Sequence, residues 1–166
     1  MNPDMARERE RAGEVLDLQE ARGDAVVATA HEARALLRMA RRIAIVGASP
    51  DASRPSHDVM AHLLAAGYDC VPINPTAPEV LGRRAFPDLA SATAAGGRFD
   101  IVDVFRRSEA APAIARQAVE AGAGALWLQL GVVSWEASRI AAEAGMPVVM
   151  DRCTAIEHRA MRAEGT

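Results

Sequence analysis

Residues 47–56 read Gly-Ala-Ser-Pro-Asp-Ala-Ser-Arg-Pro-Ser and concentrate groups that suit a phosphate. Ser49, Ser53 and Ser56 bring hydroxyls, Arg54 brings a forked cation, and Gly47 permits a sharp turn into a helix whose free N–H groups attract anions. Gly47 stands alone, so the three-glycine pattern of a dinucleotide loop is absent. The same residues also allow a plain strand-to-helix turn capped by serine, and that reading stays open. Further on, Val71-Pro-Ile-Asn-Pro75 lacks the acid that accepts the ribose hydroxyls of NAD. Its absence favours a nucleotide with an additional phosphate, with Arg83 and Arg84 on the next loop either meeting that phosphate or simply solvated.

An aromatic ring and two guanidinium groups follow at Phe105-Arg106-Arg107, just ahead of a helix expected to start at Ser108 and Glu109. Cations are unfavourable at a helix N-terminus, so this pair points to an anionic partner. Asp103, inside an apolar strand, must be paired, and Arg106 is the expected partner. Cys153, after Asp151-Arg152, is the one candidate nucleophile and lies near an expected helix start, a setting that favours thiolates in general. It has no evident base: His158 is five residues on, off its helical face, and His31, His57 and His62 are scattered. A buried, inert thiol accounts for Cys70 and stays open for Cys153. No spacing of His, Cys, Asp and Glu suggests a metal.

These groups need elements to hold them. Thr29 with Glu32 makes a capping box, and Ala33, Leu36, Leu37 and Ala40 form a stripe, which predicts a helix over about 30–41. Residues 42–47, Arg-Ile-Ala-Ile-Val-Gly, are a short β-branched run ending in glycine, as in a buried parallel strand. Ser56 or Asp58 is expected to cap a helix carrying Val59, Met60, Leu63 and Leu64, ended by Gly67, and 68–73 then gives a second strand. Strands at 100–105, 125–129 and 146–150 alternate with helices at 109–121, capped by Ser108, and 135–144. The alternation predicts an α/β domain: a doubly wound, mostly parallel sheet of about five strands with helices on both faces. In such a sheet ligands sit beyond the strand C-ends, where the loops above fall.

The 166-residue chain, 50% hydrophobic and 25% charged, suits one domain. A net charge of −3, with three Phe, two Trp and one Tyr, speaks against nucleic acid. All 19 basic residues are arginine, which excludes Schiff-base chemistry and a Walker lysine. Two cysteines are too few for a disulfide scaffold. No run nears the roughly 18 apolar residues of a membrane span, and the start MNPDMARERERAGE lacks the apolar stretch of a secretory signal, so a soluble, cytoplasmic protein is expected. Residues 1–28 read as a charged, frayed extension without chemistry, and 29–166 as the domain.

Taken in order, Ile45-Val-Gly-Ala-Ser49 with Arg54-Pro-Ser56, Val71-Pro-Ile-Asn-Pro75, Leu81-Gly82, Asp100-Ile-Val-Asp-Val-Phe-Arg-Arg107, Leu126-Trp-Leu-Gln-Leu-Gly131 and Met150-Asp-Arg-Cys153 with Glu157-His158 resemble the stand-alone CoA-binding domain proteins. These are Rossmann-like and similar to the CoA-binding domain of the succinyl-CoA synthetase α subunit. The resemblance covers about 41–161, and the six motifs in order are far more specific than any one of them. It implies that Gly47, Ala48, Ser49 and the stretch Arg54 to Ser56 hold the CoA diphosphate. It further implies that Asn74 and Pro75 lie near the adenosine end, and that Phe105, Arg106, Leu128, Gln129 and Gly131 border the pantetheine path. Cys153 is expected within reach of the CoA thiol, close enough for a reversible mixed disulfide. The synthetase's phosphorylated histidine belongs to a domain with no counterpart here, so its ligase activity is not carried over.

The expected function is binding of CoA or an acyl-CoA, without catalysis by this chain alone and with homo-oligomerisation left open. The alternative is an enzyme, either an NAD(P)-dependent oxidoreductase or one using Cys153 in acyl-CoA chemistry. The missing acid after the second strand argues against the first, and the missing base against the second. A subunit with a vestigial nucleotide site is a third reading.

Overall fold

In the computed structural model, which describes residues 27–165, the β-branched run Arg42–Val46 forms β1, buried on both faces as a central parallel strand must be. It is preceded by α1 (Ala30–Met39), whose cap Thr29 accepts from the Glu32 N–H at 3.2 Å. The chain continues through α2 (Pro55–Ala65), β2 (Asp69–Ile73), the short β3 (Glu79–Val80) and β4 (Arg83–Arg84), and α3 (Leu89–Gly96). Then come β5 (Ile101–Val104), a 3₁₀ turn at Ser108–Ala110, α4 (Ala111–Glu120), β6 (Leu126–Leu128), α5 (Trp135–Glu143), β7 (Val148–Val149) and α6 (Thr154–Glu164).

Five strands pair in the order β2-β1-β5-β6-β7, every pair parallel. This is the doubly wound, Rossmann-like α/β fold. Side-chain alternation divides the core into two layers. Ile43, Ile45, Ile101, Trp127 and Val149 pack beneath α1, α2 and α6, whereas Val46, Val102, Val104, Leu126 and Leu128 pack beneath α3, α4 and α5. Trp127 is fully buried, and its indole N–H donates to the Arg152 carbonyl at 2.8 Å, so the large apolar body goes inside without an orphaned donor. Truncating it to alanine would cost about 3–5 kcal/mol.

Several local expectations are corrected. Ser108 does not cap the helix that follows; its Oγ accepts from the Val133 N–H at 3.0 Å and pins the loop after β6. Neither Ser56 nor Asp58 caps α2, whose cap position is Arg54 with no side-chain bond and whose first residue is Pro55, already fixed in helical φ. The β3–β4 hairpin and α3 were not anticipated. The hairpin has only two residues per strand, and α3 (LASATAAG) offers small residues instead of an apolar stripe. The expectation for residues 1–26 lies outside the described residues. Val27 and Ala28 are no frayed extension: Val27 bridges Val148 and the Ala28 N–H donates to the Val148 carbonyl at 2.8 Å.

Where α2 meets α6, His62 Nε2 and His158 Nδ1 lie 2.9 Å apart, with Tyr68 edge-on to His158. Burial lowers both imidazoles' pKa; Arg159 lowers both further, and His62 and Arg162 add to the effect on His158. No helix among the described residues is long and apolar enough to cross a membrane.

Candidate functional site

From β1 the chain crosses to β2 on one side, and the later strands β5, β6 and β7 build out on the other, so the loops after β1 and β5 part and open a crevice between them. Gly47 makes that crevice possible. Its φ is +85°, and a Cβ there would stand 2.6 Å from the Phe105 carbonyl oxygen. The loop from β1 therefore passes directly against the end of β5, an approach only glycine permits. Three backbone bonds hold the junction: the Gly47 N–H donates to Ile73 (3.2 Å), the Phe105 N–H to Val46 (2.8 Å) and the Gln129 N–H to Val104 (3.3 Å).

The loop then folds on its own side chains. Asp51 accepts from the Ser53 N–H at 2.9 Å and the Ser53 hydroxyl at 2.8 Å, which holds its carboxyl below the usual range. The Ser49 hydroxyl accepts from the Asp51 N–H at 3.1 Å. Asn74 acts as a clamp. Its amide donates to the Ala48 carbonyl at 2.8 Å, while its oxygen accepts from the Thr76 N–H at 2.8 Å and the Ala77 N–H at 2.9 Å. The clamp fixes the loop after β2 to the loop after β1.

These loops enclose an open cavity of about 550 Å³, within the range of ligand sites. Of the residues singled out from sequence, Gly47, Ala48, Ser49, Arg54, Ser56, Asn74, Pro75, Phe105, Arg106 and Gln129 line it, joined by Pro55, Arg107, Leu130 and Val132. Arg54, Arg106 and Arg107 form no ion pair among the described residues, and no carboxylate lines the cavity. A second cavity of about 550 Å³ beside α3 and α4 has the opposite character, with Asp88 and Glu120 in its wall and no cation.

Behind the first cavity, Gln129 Nε2 donates to Asp103 Oδ1 at 2.6 Å and to Thr154 Oγ1 at 2.8 Å, and the Thr154 hydroxyl donates to Asp103 Oδ2 at 3.0 Å. Asp103 is therefore not paired with Arg106, as its sequence setting suggested; its partners are an amide and a hydroxyl. Thr154 was missed. It is the first residue of α6, and nothing local ties it to a strand 51 positions earlier. Burial pushes the Asp103 carboxyl up to about 7, with the two hydrogen bonds pulling the other way.

Three expected residues do not line the cavity. Leu128 is fully buried under α4 and α5, because it occupies an inward position of β6. Gly131 is held by its N–H donating to Asp151 Oδ1 at 2.7 Å. Cys153 occupies the cap position of α6, half-buried against the core layer that contains Ala48 and Ala155. Arg83 and Arg84 lie elsewhere too. Arg83 bonds Asp69 and the Cys70 carbonyl near the opposite end of β2, and Arg84 stacks on Phe86. Cys70 is buried, which pushes its thiol up to about 12.

A family model described as CoA binding domain matches residues 41–159. The chain belongs to the CoA binding domain family. This CoA-binding-domain protein is 40% identical over 127 residues to the uncharacterized protein YneT of Bacillus subtilis, covering 76% of its own length and 92% of the relative's. A solved hypothetical protein from Pyrococcus horikoshii matches at 36% identity and a TM-score of 0.76, covering 81% of this chain and 93% of that one. The acetyl-coenzyme A synthetase 1 of Ca. Korarchaeum cryptofilum shares the fold at 24% identity and a TM-score of 0.59, over 71% of this chain and 28% of the synthetase.

Proposed function

We propose that this protein binds CoA or an acyl-CoA in the cavity at the ends of β1 and β5, and that it does not complete a reaction alone. The observation that carries this is the charge of the wall: three unpaired guanidinium groups and no carboxylate face one cavity. All three side chains are exposed, so their field reaches whatever enters the cavity, and with no carboxylate in the wall to oppose it the site suits a polyanion; CoA is a polyanion with a neutral arm. Membership of the CoA binding domain family supports CoA as that polyanion.

The backbone of Gly47 to Ser49, Arg54 and the N-terminus of α2 would hold the diphosphate, with Asn74 shaping this end indirectly by clamping the loop. The apolar Phe105, Leu130 and Val132, with the amide of Gln129, would flank the pantetheine arm. Bound CoA would supply a thiol able to carry an acyl group. The residues around it orient and enclose that arm.

Side-by-side thermal scans test the reading, since a ligand of the native state stabilises it in proportion to RT ln(1 + [L]/Kd). CoA should raise the melting temperature in a concentration-dependent way, and NAD should not. A larger shift with NAD than with CoA would reject it. Mass spectrometry of ligand released from purified protein gives an independent check.

A further inference from the structure

A carboxylate buried without a cation is an expensive feature. Glu157, also buried, ion-pairs Arg34 at 3.0 Å and Arg152 at 3.4 Å, but Asp103, with no exposure at all, has only Gln129 and Thr154. An apolar residue in the middle of β5 would pack with less cost, so the network does not stabilise the sheet by its charge. It does decide which way an amide points.

A primary amide has nearly the same shape either way round, and its orientation is set by its partners. Ionised Asp103 only accepts. The Thr154 hydroxyl spends its proton on Asp103 Oδ2, so it too offers Gln129 only a lone pair. Both inner partners therefore demand donors, which turns the Gln129 NH₂ inward and its carbonyl outward. That oxygen accepts no hydrogen bond among the described residues and is not sealed from solvent, although the residue is 95% buried; it opens on the cavity that Gln129 lines.

We propose that Asp103 is a positioning residue that fixes Gln129 with its carbonyl facing the cavity, where it accepts from a donor on the pantetheine arm, an amide N–H or the terminal thiol. The proposal rests on the CoA reading above. Because burial pushes the carboxyl to about 7, the lock is set on the alkaline side. On the acid side Asp103 gains a proton to donate and tolerates the flipped amide. The groups packed round it do not compete for this role. Cys70 of β2 is a neutral thiol, β6 and α6 present Gln129 and Thr154, and α1 and α2 cover this layer with apolar Leu37, Val59 and Met60.

Two measurements on the full chain test it. In the free protein, the Gln129 side-chain amide resonances should titrate with a midpoint near 7, and the titration should vanish in Asp103→Asn. By calorimetry near pH 8, Asp103→Asn should weaken CoA by about ten-fold or more, the scale of one hydrogen bond. Adenosine 3′,5′-bisphosphate, which lacks the arm, should bind within about two-fold of wild type. Thr154→Val, a milder change if Asp103→Asn folds poorly, should weaken CoA in the same selective way. Desulfo-CoA separates the two donors: loss of the selective effect assigns the thiol, and persistence assigns the amide.

Gln129 amide resonances at pH 8 that are the same in wild type and Asp103→Asn, or equal losses for CoA and the bisphosphate in both variants, would overturn the positioning role. Wild type binding the bisphosphate and CoA equally well would also overturn it. Wild type binding neither would instead reject the CoA reading.

Discussion

Replacing Gly47 with alanine tests the junction on which the cavity is built. At φ +85° an L-residue pays roughly 1–2 kcal/mol for its Cβ. The new atom would also stand 2.6 Å from the Phe105 carbonyl oxygen and 3.0 Å from Arg106 Cδ. The oxygen belongs to backbone, so the ends of β1 and β5 must separate by a few tenths of an ångström, an overpacking strain of about 1–3 kcal/mol. The sum, about 2–5 kcal/mol, corresponds to a fall in melting temperature of roughly 5–15 °C for a chain of this size. Thermal unfolding followed by circular dichroism would measure it. CoA affinity, measured well below the transition, should fall as well, since the strand that moves carries Phe105 and Arg106. A variant melting within about 1 °C of wild type with unaltered CoA binding would refute the close-approach argument.

The remaining expectations concern charge. Arg54→Ala and Arg106→Ala should each lose about 1.5–3 kcal/mol of CoA binding, the scale of a hydrogen bond to a charged group; unchanged titration calorimetry in both would return these side chains to solvent. His62 and His158 have pKa values lowered in the fold. Their neutral forms thus stabilise it above the unfolded value near 6.5, and that contribution is lost as pH falls through 6.5 toward the folded values. Urea midpoints should drop over this window in wild type and drop less in His62→Asn; parallel curves would dismiss the pair.

What could be read from the residues followed from periodicity. The runs in β1, β2, β5 and β6 alternate with amphipathic helices, and that rhythm alone leads to a parallel sheet with its ligand edge at the loops after Val46, Ile73, Val104 and Leu128. What failed was pairing across distance. Asp103 had an arginine three residues away and took a glutamine and a threonine instead, because strand alternation turns its side chain under α6 while Arg106 leaves for the cavity. Ser108 looked like a cap and is a strut to Val133, because the chain makes a 3₁₀ turn before α4. Arg83 stood open between a nucleotide phosphate and solvent, but the β3–β4 hairpin carries it back along β2 to Asp69. The hairpin's turn, with positive φ at Leu81 and Gly82, was the one signal that could have shown this reversal.

The two borders of the sheet are both occupied. Beside β7, Val27 and Ala28 take up the Val148 backbone. Beside β2, Phe86 bridges Ile73, donating to the Pro72 carbonyl and accepting from the Asn74 N–H, and Pro72 itself has no N–H to offer. An exposed strand border is a template on which a second chain can nucleate an aggregate. Here such a chain would meet backbone groups already engaged at Val148 and at Pro72, so growth of fibrils by strand addition requires prior displacement of Val27 or Phe86. Removing the segment that ends at Ala28 would uncover the β7 border and leave a folded domain prone to stick to its own kind.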